Sequence, residues 1–514
     1  MAAGGINRVA IASTWLFLVL LPHVIVQSTD AQDAQMQPTD VQVLDAEVRC
    51  PDDASLISPC MCEIAPDNAT AIVVYCTNTD VSVFARLATL ADHGAPIQQL
   101  VIADSNIDVL PAKAFSNLSI SELGLVNCSI ARLDDDSLSG LEGSLSTLSL
   151  KANRLTSVPA SAIVGFTGLV SLNLNENAIE AVEAEDFRTN VGLGVLYLDR
   201  NKIASVHEEA FLSLTNLISL DMVANRLTSI SATWFTGMKA TVARIQLHEN
   251  RIAAIPADAF SGLTNLQHLS LYDNKIATLG ENAFAQLYLI ELLRLENNLI
   301  EWLPADMFHD MGQLATIDLE NNKIRQLPAA IFSNQTQVSE VFLEDNQISD
   351  IGEGAFSGLV SAEYMQLQAN NLSSLPAELF TNMRSLTYLH LAENSGLRLQ
   401  AAMFSGLSNL RSLNLYDAGI TEVPSGTFAE LVSLHSLYLQ NNNITTLEAD
   451  SFKGATNLEV LQLHDNQRMD RIPRHSFAGL ANLKRLQLQN NQIGELEPGG
   501  FRRCREESGV SPAV

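Results

Sequence analysis

Positive charge is scarce in this chain. Of its 514 residues, 30 are lysine or arginine and 58 are aspartate or glutamate, so the formal net charge at pH 7 is −28. A surface of this charge repels polyanions, because it lacks the electrostatic attraction on which nucleic-acid binding depends. We therefore expect no nucleic-acid partner and favour a basic one. The alternative, that the acidity serves only solubility, remains open.

Catalytic motifs are also missing. The sequence contains no H-E-x-x-H, no G-x-S-x-G and no glycine-rich phosphate loop. Its ten histidines are scattered along the chain. Carboxylates could bind calcium, but no calcium-loop motif accompanies them. We expect a protein that is not an enzyme and that has no cofactor and no metal.

A long apolar run occurs once, near the start. Arg8 precedes the apolar residues 9–21, an arrangement typical of a signal peptide over residues 1–27. A signal anchor is the alternative, although Pro22 and His23 shorten the apolar segment. Residues 28–49 are polar, acidic and aperiodic, which predicts a flexible leader. The tail at 505–514 is polar, so we expect no membrane anchor and a secreted, extracellular chain.

What the chain has in abundance is one repeat. The pattern L-x-x-L-x-L-x-x-N-x-I/L ends in asparagine fourteen times, and successive copies lie 24 residues apart with rare one-residue slips. Copies run from a weak one at Ile97 to a clear one at Leu483, which makes 17 units. Ser105, Cys128 and Ala418 stand in for asparagine in three of them. The asparagines are Asn153, Asn177, Asn201, Asn225, Asn250, Asn274, Asn298, Asn322, Asn346, Asn370, Asn394, Asn442, Asn466 and Asn491.

A second series of residues runs in phase with the asparagines. Fifteen of the 19 phenylalanines follow the asparagine position by ten or eleven residues. They are Phe115, Phe187, Phe211, Phe235, Phe260, Phe284, Phe308, Phe332, Phe356, Phe380, Phe404, Phe428, Phe452, Phe477 and Phe501. Large rings at one repeat position predict a continuous stack inside the fold, on the side opposite the strands.

The spacing of leucines and asparagines resembles that of leucine-rich repeat proteins. The residues themselves agree, because the L-x-L segment alternates like a short strand and the asparagine amide can bond backbone groups left unpaired in a turn. We predict an α/β leucine-rich repeat solenoid over residues 97–504. Its concave face would be a parallel β-sheet of about 17 short strands, and its convex side would consist of turns and short helical segments.

Four of the six cysteines cluster before the first repeat, at Cys50, Cys60, Cys62 and Cys76. Sequence alone permits three pairings, and a zinc site is a competing interpretation. The cluster resembles the N-terminal cap of extracellular leucine-rich repeat proteins, here over residues 50–96. That resemblance implies the pairs Cys50 with Cys62 and Cys60 with Cys76.

The cap is also similar to that of secreted arthropod members, among them a non-catalytic subunit of a luciferin monooxygenase. The remaining cysteines, Cys128 and Cys504, occupy repeat core positions and need no partner.

Residues between the strand leucines should point from the concave sheet into solvent. Aromatic residues there suggest a partner-binding surface, although strands favour tyrosine in any case. This candidate stripe comprises Phe342, Tyr364, Tyr388, His390, Tyr416 and Tyr438. Beside it lies an acidic group made of Glu296, Asp318, Glu320, Glu340, Glu344 and Asp345, of which we single out Glu320 and Glu344. Histidines His248, His268 and His464 fall at similar positions.

Glycosylation sequons indicate a glycoprotein. We expect glycans at Asn68, Asn117, Asn334, Asn371 and Asn443. The resemblance implies a secreted binding protein that recognises an extracellular protein or glycoprotein on its concave face. Two other functions remain open, a non-catalytic accessory subunit of a secreted enzyme and a structural matrix or adhesion component.

Overall fold

The computed structural model describes residues 50–497, except 52, 67, 94 and 95. The predicted signal peptide and acidic leader, Cys504, Phe501 and the polar tail lie outside the described residues.

The repeats form one long parallel sheet. Over the described residues it has 19 strands, of which two belong to the cap and 17 to the repeats, as predicted. Neighbouring repeat strands pair in parallel along the sheet. The repeat strands are Ile97–Ala103, Ile120–Val126, Thr147–Ser149, Ser171–Asn173, Val195–Tyr197, Ser219–Asp221, Arg244–Gln246, His268–Ser270, Leu292–Arg294, Thr316–Asp318, Glu340–Phe342, Tyr364–Gln366, Tyr388–His390, Ser412–Asn414, Ser436–Tyr438, Val460–Gln462 and Arg485–Gln487.

Alternation along each strand separates the core from the concave surface. In Tyr388–His390 the central Leu389 is fully buried, whereas both flanking side chains remain half-exposed. The same order recurs because successive side chains of a strand point to opposite faces. The leucines of all repeats therefore share one hydrophobic core, which no single repeat could bury alone.

The asparagine of each repeat is a buried hydrogen-bonding centre. Asn201 donates through Nδ2 to the carbonyls of Leu174 (3.0 Å), Leu198 (3.1 Å) and Asp199 (3.3 Å), and its Oδ1 accepts from the N–H of Ile179 (3.0 Å). One amide thus satisfies backbone groups of two successive repeats, where an unpaired buried group would be costly. The buried asparagines at the same repeat position, for example Asn298 and Asn394, repeat this arrangement.

Cys128 takes the asparagine position, as predicted. It is fully buried, and its Sγ lies 3.2 Å from the carbonyl oxygen of Ile102, so the thiol replaces the amide donor. Burial raises the pKa of this thiol to about 11, which leaves it neutral. Ser105 acts similarly, since its hydroxyl donates to the Ala103 carbonyl (2.8 Å) and accepts from the N–H of Thr79 (3.1 Å).

Ala418 offers no side-chain hydrogen bond, and the backbone replaces it. The carbonyl of Ala418 accepts from the N–H groups of Gly396 (3.1 Å) and Leu397 (3.0 Å). This approach requires glycine at Gly419, because a Cβ there would lie 2.4 Å from the Gly396 nitrogen and the φ is +69°. Strand register continues through this repeat. The missing asparagine therefore leaves the concave sheet intact.

The convex side is built mainly of turns around the phenylalanine stack. Neighbouring rings lie 5.2–6.3 Å apart from Phe308 to Phe477. Short helical segments at Ala160–Ile163 and Ala232–Phe235 interrupt the turns.

Two-residue strands also pair across neighbouring repeats on this side. The pairs are Val109–Leu110 with Arg132–Leu133, Ala181–Val182 with Ser205–Val206, Ala254–Ile255 with Thr278–Leu279, Gln326–Leu327 with Asp350–Ile351, Glu422–Val423 with Thr446–Leu447, and Arg471–Ile472 with Glu495–Leu496. The prediction of turns and helices omitted these small parallel ribbons.

The cap covers the first repeat and contains both implied disulfides, Cys50 with Cys62 and Cys60 with Cys76. Its hairpin, Met61–Ala65 and Asn68–Thr77, is antiparallel, and the second strand pairs in parallel with the first repeat. Helical segments at Ala54–Leu56, Val83–Leu87 and Ala88–His93 complete it. Phe84 meets Phe115, the first phenylalanine of the repeats, edge-on at 5.4 Å, so the cap also packs against the first repeat through aromatic rings.

Candidate binding surface

Four aromatic side chains meet on the concave sheet, and we call them the aromatic cluster: Phe342, Tyr364, Tyr388 and His390. Strand register places Tyr364 opposite Tyr388, and their rings stack 4.4 Å apart at 8°. Phe342 approaches Tyr364 at 5.9 Å and His390 approaches Tyr388 at 6.1 Å. All four are half-buried, so the side chains that the sequence predicted to point into solvent do so only in part.

Burial and a polar neighbour determine the charge of this cluster. His390 Nε2 lies 2.7 Å from the side-chain amide nitrogen of Asn414 in the next strand. Burial lowers the pKa of His390 to about 4, so the ring is neutral at physiological pH. Burial and then the charge of Tyr364 raise the pKa of Tyr388 to about 12. The cluster is therefore an uncharged aromatic surface with polar edges.

The other two predicted aromatics stand apart from it. Tyr416 follows its strand, and its N–H donates to Asn414 Oδ1 at 3.0 Å. Tyr438 is in register with Asn414, which separates its ring from His390. Among the described residues neither tyrosine makes a ring contact. The predicted stripe of six residues is thus a compact cluster of four residues on three strands, with two outlying tyrosines.

A group of carboxyls lies directly beside the aromatic cluster. Asp318 is opposite Phe342 in register, and Glu344 follows Phe342 by two residues on the same face. We call Glu296, Asp318, Glu320 and Glu344 the carboxyl cluster. Glu296 is 2% exposed and Glu344 is 5% exposed, so the expectation that these two face solvent is wrong. Glu340 and Asp345 are exposed as expected.

Crowding shifts the protonation of these carboxyls. Burial, and then the charges of Glu296 and Glu320, raise the pKa of Asp318 to about 7. Burial, and then the charges of Glu320 and Asp318, raise the pKa of Glu344 to about 8. Burial also raises the pKa of Glu296, although its ion pair with Arg294 opposes the shift. Part of the cluster is therefore protonated near neutral pH.

Sequence reasoning missed a second polar group upstream on the same sheet. The His248 ring stacks on Tyr272 at 4.2 Å, and the Arg294 guanidinium lies 4.0 Å from the centre of the Tyr272 ring. Arg244 approaches Asp221 at 3.9 Å, and burial with the nearby Asp199 charge raises the pKa of Asp221 to about 6. These residues occupy strand positions one repeat apart, which is the signal that could have grouped them.

The predicted glycosylation sites are all accessible. Asn68, Asn117, Asn334, Asn371 and Asn443 are each exposed. No helix among the described residues is long and apolar enough to cross a membrane. Within the same residues, no three histidine, cysteine, aspartate or glutamate side chains are grouped so as to hold a metal ion.

Two family models match the chain. One, described as leucine rich repeat, matches residues 119–179, 143–202, 191–242, 240–300 and 312–372. The other, described as BspA type leucine rich repeat region, matches residues 373–507. Among curated proteins, P-granule-associated novel protein 1 of Caenorhabditis elegans is 36% identical over 91 residues. The chain matches only 14% of that protein's length, and the match covers 18% of this chain.

Solved structures with the same fold come from several kingdoms. Drosophila Toll, in its complex with Spatzle, is 20% identical with a TM-score of 0.58, covering 86% of this chain and 67% of that one. The plant peptide hormone receptor RGFR1, in complex with RGF2, is 19% identical with a TM-score of 0.54, covering 83% and 77%. A leucine-rich repeat protein of Leptospira interrogans is 23% identical with a TM-score of 0.51, covering 82% and 96%.

At these identities the structures establish the fold alone. The family models, by contrast, together match more than half of the chain. The chain belongs to the leucine-rich repeat proteins and carries a disulfide-bonded, cysteine-rich N-terminal cap.

Proposed function

We propose that this chain is a secreted, non-enzymatic recognition protein that binds an extracellular protein or glycoprotein on its concave sheet. The observation that carries the proposal is the stacked pair Tyr364 and Tyr388, flanked by Phe342 and His390. Clustered aromatic side chains dominate protein interfaces, because each ring offers a large apolar face and a polar edge.

The cluster is also held in place before a partner arrives. Each ring stands on a strand whose backbone is paired on both sides, and the two tyrosines restrain one another by stacking at 4.4 Å. Side chains that are already ordered lose little conformational entropy on binding. A partner could therefore bury this surface at low cost.

Similar structures, the disulfides of the cap and the N-terminal sequence support a secreted recognition protein. The similar Drosophila Toll and plant RGFR1 structures are complexes with Spatzle and with RGF2, respectively. Two disulfides favour an oxidising compartment, and the exposed sequons fit a glycoprotein. Secretion is further supported by the N-terminal segment that resembles a signal peptide.

The test is a pull-down from extracellular fluid, read by mass spectrometry, with the mature chain as bait. The triple variant Tyr364→Ala, Tyr388→Ala, Tyr416→Ala should lose at least about 90% of the specifically captured protein, because interface anchors of this kind carry 2 kcal/mol or more, roughly a thirtyfold change in affinity. Circular dichroism and thermal unfolding should show that the variant remains folded.

A matched control removes two aromatic rings elsewhere. Tyr288 and Trp302 are each 51% exposed and lie outside the concave strands, so Tyr288→Ala with Trp302→Ala should leave capture unchanged. Undiminished capture by the triple variant would refute the binding surface. Co-purification of a catalytic chain as the main captured species would instead favour an accessory subunit.

A further inference from the structure

The carboxyl cluster contains a buried oxygen without a donor. Glu344 is only 5% exposed, and no described residue donates a hydrogen bond to its Oε2. Its carboxyl instead faces Glu320, another acid. A buried carboxylate that lacks donors is costly, and folded proteins normally supply a partner for it. In the free protein this carboxyl is held in its protonated form beside Glu320, so a carboxylate here would be stabilised only by a donor that enters from outside the fold.

The guanidinium beside the carboxyl cluster is already engaged. Arg294 pairs with Glu296 at the far end of the cluster and lies over the Tyr272 ring. Among the described residues no ion pair involves Asp318, Glu320 or Glu344. The charged and titratable groups of the surrounding strands and their flanking residues include His268, Glu291, Arg294, Glu296, Asp318, Glu320, Glu340, Asp345, Glu363, Tyr364, Tyr388 and His390. Negative charge dominates this set.

An aromatic wall stands next to the unpaired oxygen. Phe342 precedes Glu344 by two residues on the same face, and the Tyr364 ring lies 5.9 Å beyond Phe342. A carboxylate beside aromatic rings suits an ammonium or guanidinium group, which can pair with the acid while its face or alkyl stem rests on the ring. The carboxyl of Glu344 and the rings of Phe342 and Tyr364 provide both groups on two neighbouring strands.

Building on the proposed function, we propose that the surface around Glu344 and Phe342 binds one lysine or arginine side chain of the protein partner, which replaces a proton held by the carboxyl cluster. The proton leaves to solvent as the cationic group enters, so charge is conserved at the site. Binding would therefore be coupled to proton release.

The direction of the pH dependence follows from the free protein. Because the pKa values of Asp318 and Glu344 are raised to about 7 and about 8, both carboxyls hold protons at pH 6. A cation must then displace a proton, whereas at pH 8 the site is already partly ionised. Affinity for the cationic side chain should therefore rise between pH 6 and pH 8.

The experiment uses N-acetyl-arginine amide as the probe and the mature chain as receptor, followed by ligand-observed NMR. We expect binding at pH 8 that is at least about tenfold weaker at pH 6, since one displaced proton changes affinity up to tenfold per pH unit. N-acetyl-citrulline amide, which is similar in shape but neutral, should not bind. Glu344→Gln should weaken binding of the arginine probe at pH 8 at least about tenfold.

Glu422→Gln is the matched control, because it removes one carboxylate from an exposed convex strand and should not change binding. Equal binding of the citrulline probe, a flat pH profile or full binding by Glu344→Gln would overturn this inference. Displacement of the probe by equimolar calcium would also overturn it in favour of a metal site. If protein capture depends on Tyr364 and Tyr388 but not on Glu344 or pH, the proposed function stands and only the cationic site fails.

Discussion

The phenylalanines of the convex side and the tyrosines of the concave sheet are both stacked one repeat apart. Phe428 and Phe452 lie 5.8 Å apart at 1°, and Tyr364 and Tyr388 lie 4.4 Å apart at 8°. The phenylalanines are buried and recur through almost every repeat, whereas the tyrosine pair is half-exposed and occurs on two strands. Residues that every repeat requires serve the fold, and the irregular ones are free to serve a partner.

Buried polar groups show the same difference. Asn201 has its amide nitrogen and oxygen satisfied by four backbone groups. Glu344 is as deeply buried, yet one oxygen has no donor among the described residues. The polar residue that recurs in the repeats thus has all its hydrogen bonds within the fold. The irregular residue Glu344 has an oxygen without a donor, and a partner could supply one.

The largest expected effect is on the phenylalanine side. Phe428→Ala removes a fully buried ring from between two neighbours at 6.0 and 5.8 Å and should reduce the free energy of unfolding by about 3–5 kcal/mol. Urea unfolding of the mature chain, followed by circular dichroism, measures this loss. Phe428→Leu should lose less, because it leaves a smaller cavity.

Tyr388→Ala is the corresponding substitution on the concave sheet, and it tests whether the tyrosine pair is needed for stability. Its ring is half-exposed, so its removal should cost about 1 kcal/mol of stability or less while weakening partner capture. A loss as large as that of Phe428→Ala would show that both stacks are structural.

A separate effect on stability concerns Glu344 and depends on pH. Its folded pKa of about 8 exceeds its ordinary value of 4.5, so the folded state is favoured while the carboxyl is protonated and loses stability as pH rises through 8. Glu344→Gln carries no such penalty. The variant should match the wild type near pH 4 and exceed it by on the order of 2 kcal/mol at pH 9.

Thermal unfolding at both pH values measures this difference. Glu422→Gln, a change on the exposed convex ribbon, should show no comparable pH-dependent gain. A Glu344→Gln effect of the same size at pH 4 and pH 9 would contradict the buried, protonated state of this carboxyl.

Periodicity made the fold predictable from sequence. The leucine and asparagine spacing predicted 17 strands, the buried amides and the role of Cys128, because each recurs at a fixed position whose environment is the same in every repeat. The disulfide pairs followed from resemblance of the cap. The backbone contact at Ala418 also has a sequence signal. Gly419 follows Ala418, and Gly396 lies at the contacted position of the preceding repeat.

The candidate site was less predictable, because burial on the concave face depends on neighbouring strands rather than on repeat position. Glu344 and Tyr416 occupy the same position of their repeats, yet Glu344 is buried and Tyr416 is half-exposed. The stack of His248 on Tyr272 and the separation of Tyr438 from the aromatic cluster likewise arise from which side chains happen to meet. Such contacts require the register of several strands at once.

The central claim is that the irregular aromatic side chains, not the repeated ones, meet the partner. Hydroxyl-radical footprinting of the mature chain, alone and with its captured partner, tests it by reporting the oxidation of each aromatic ring. Binding should protect Phe342, Tyr364 and Tyr388 and leave Tyr288 and Trp302 unchanged. Protection of Tyr288 and Trp302, with Tyr364 and Tyr388 oxidised as in the free protein, would contradict the account.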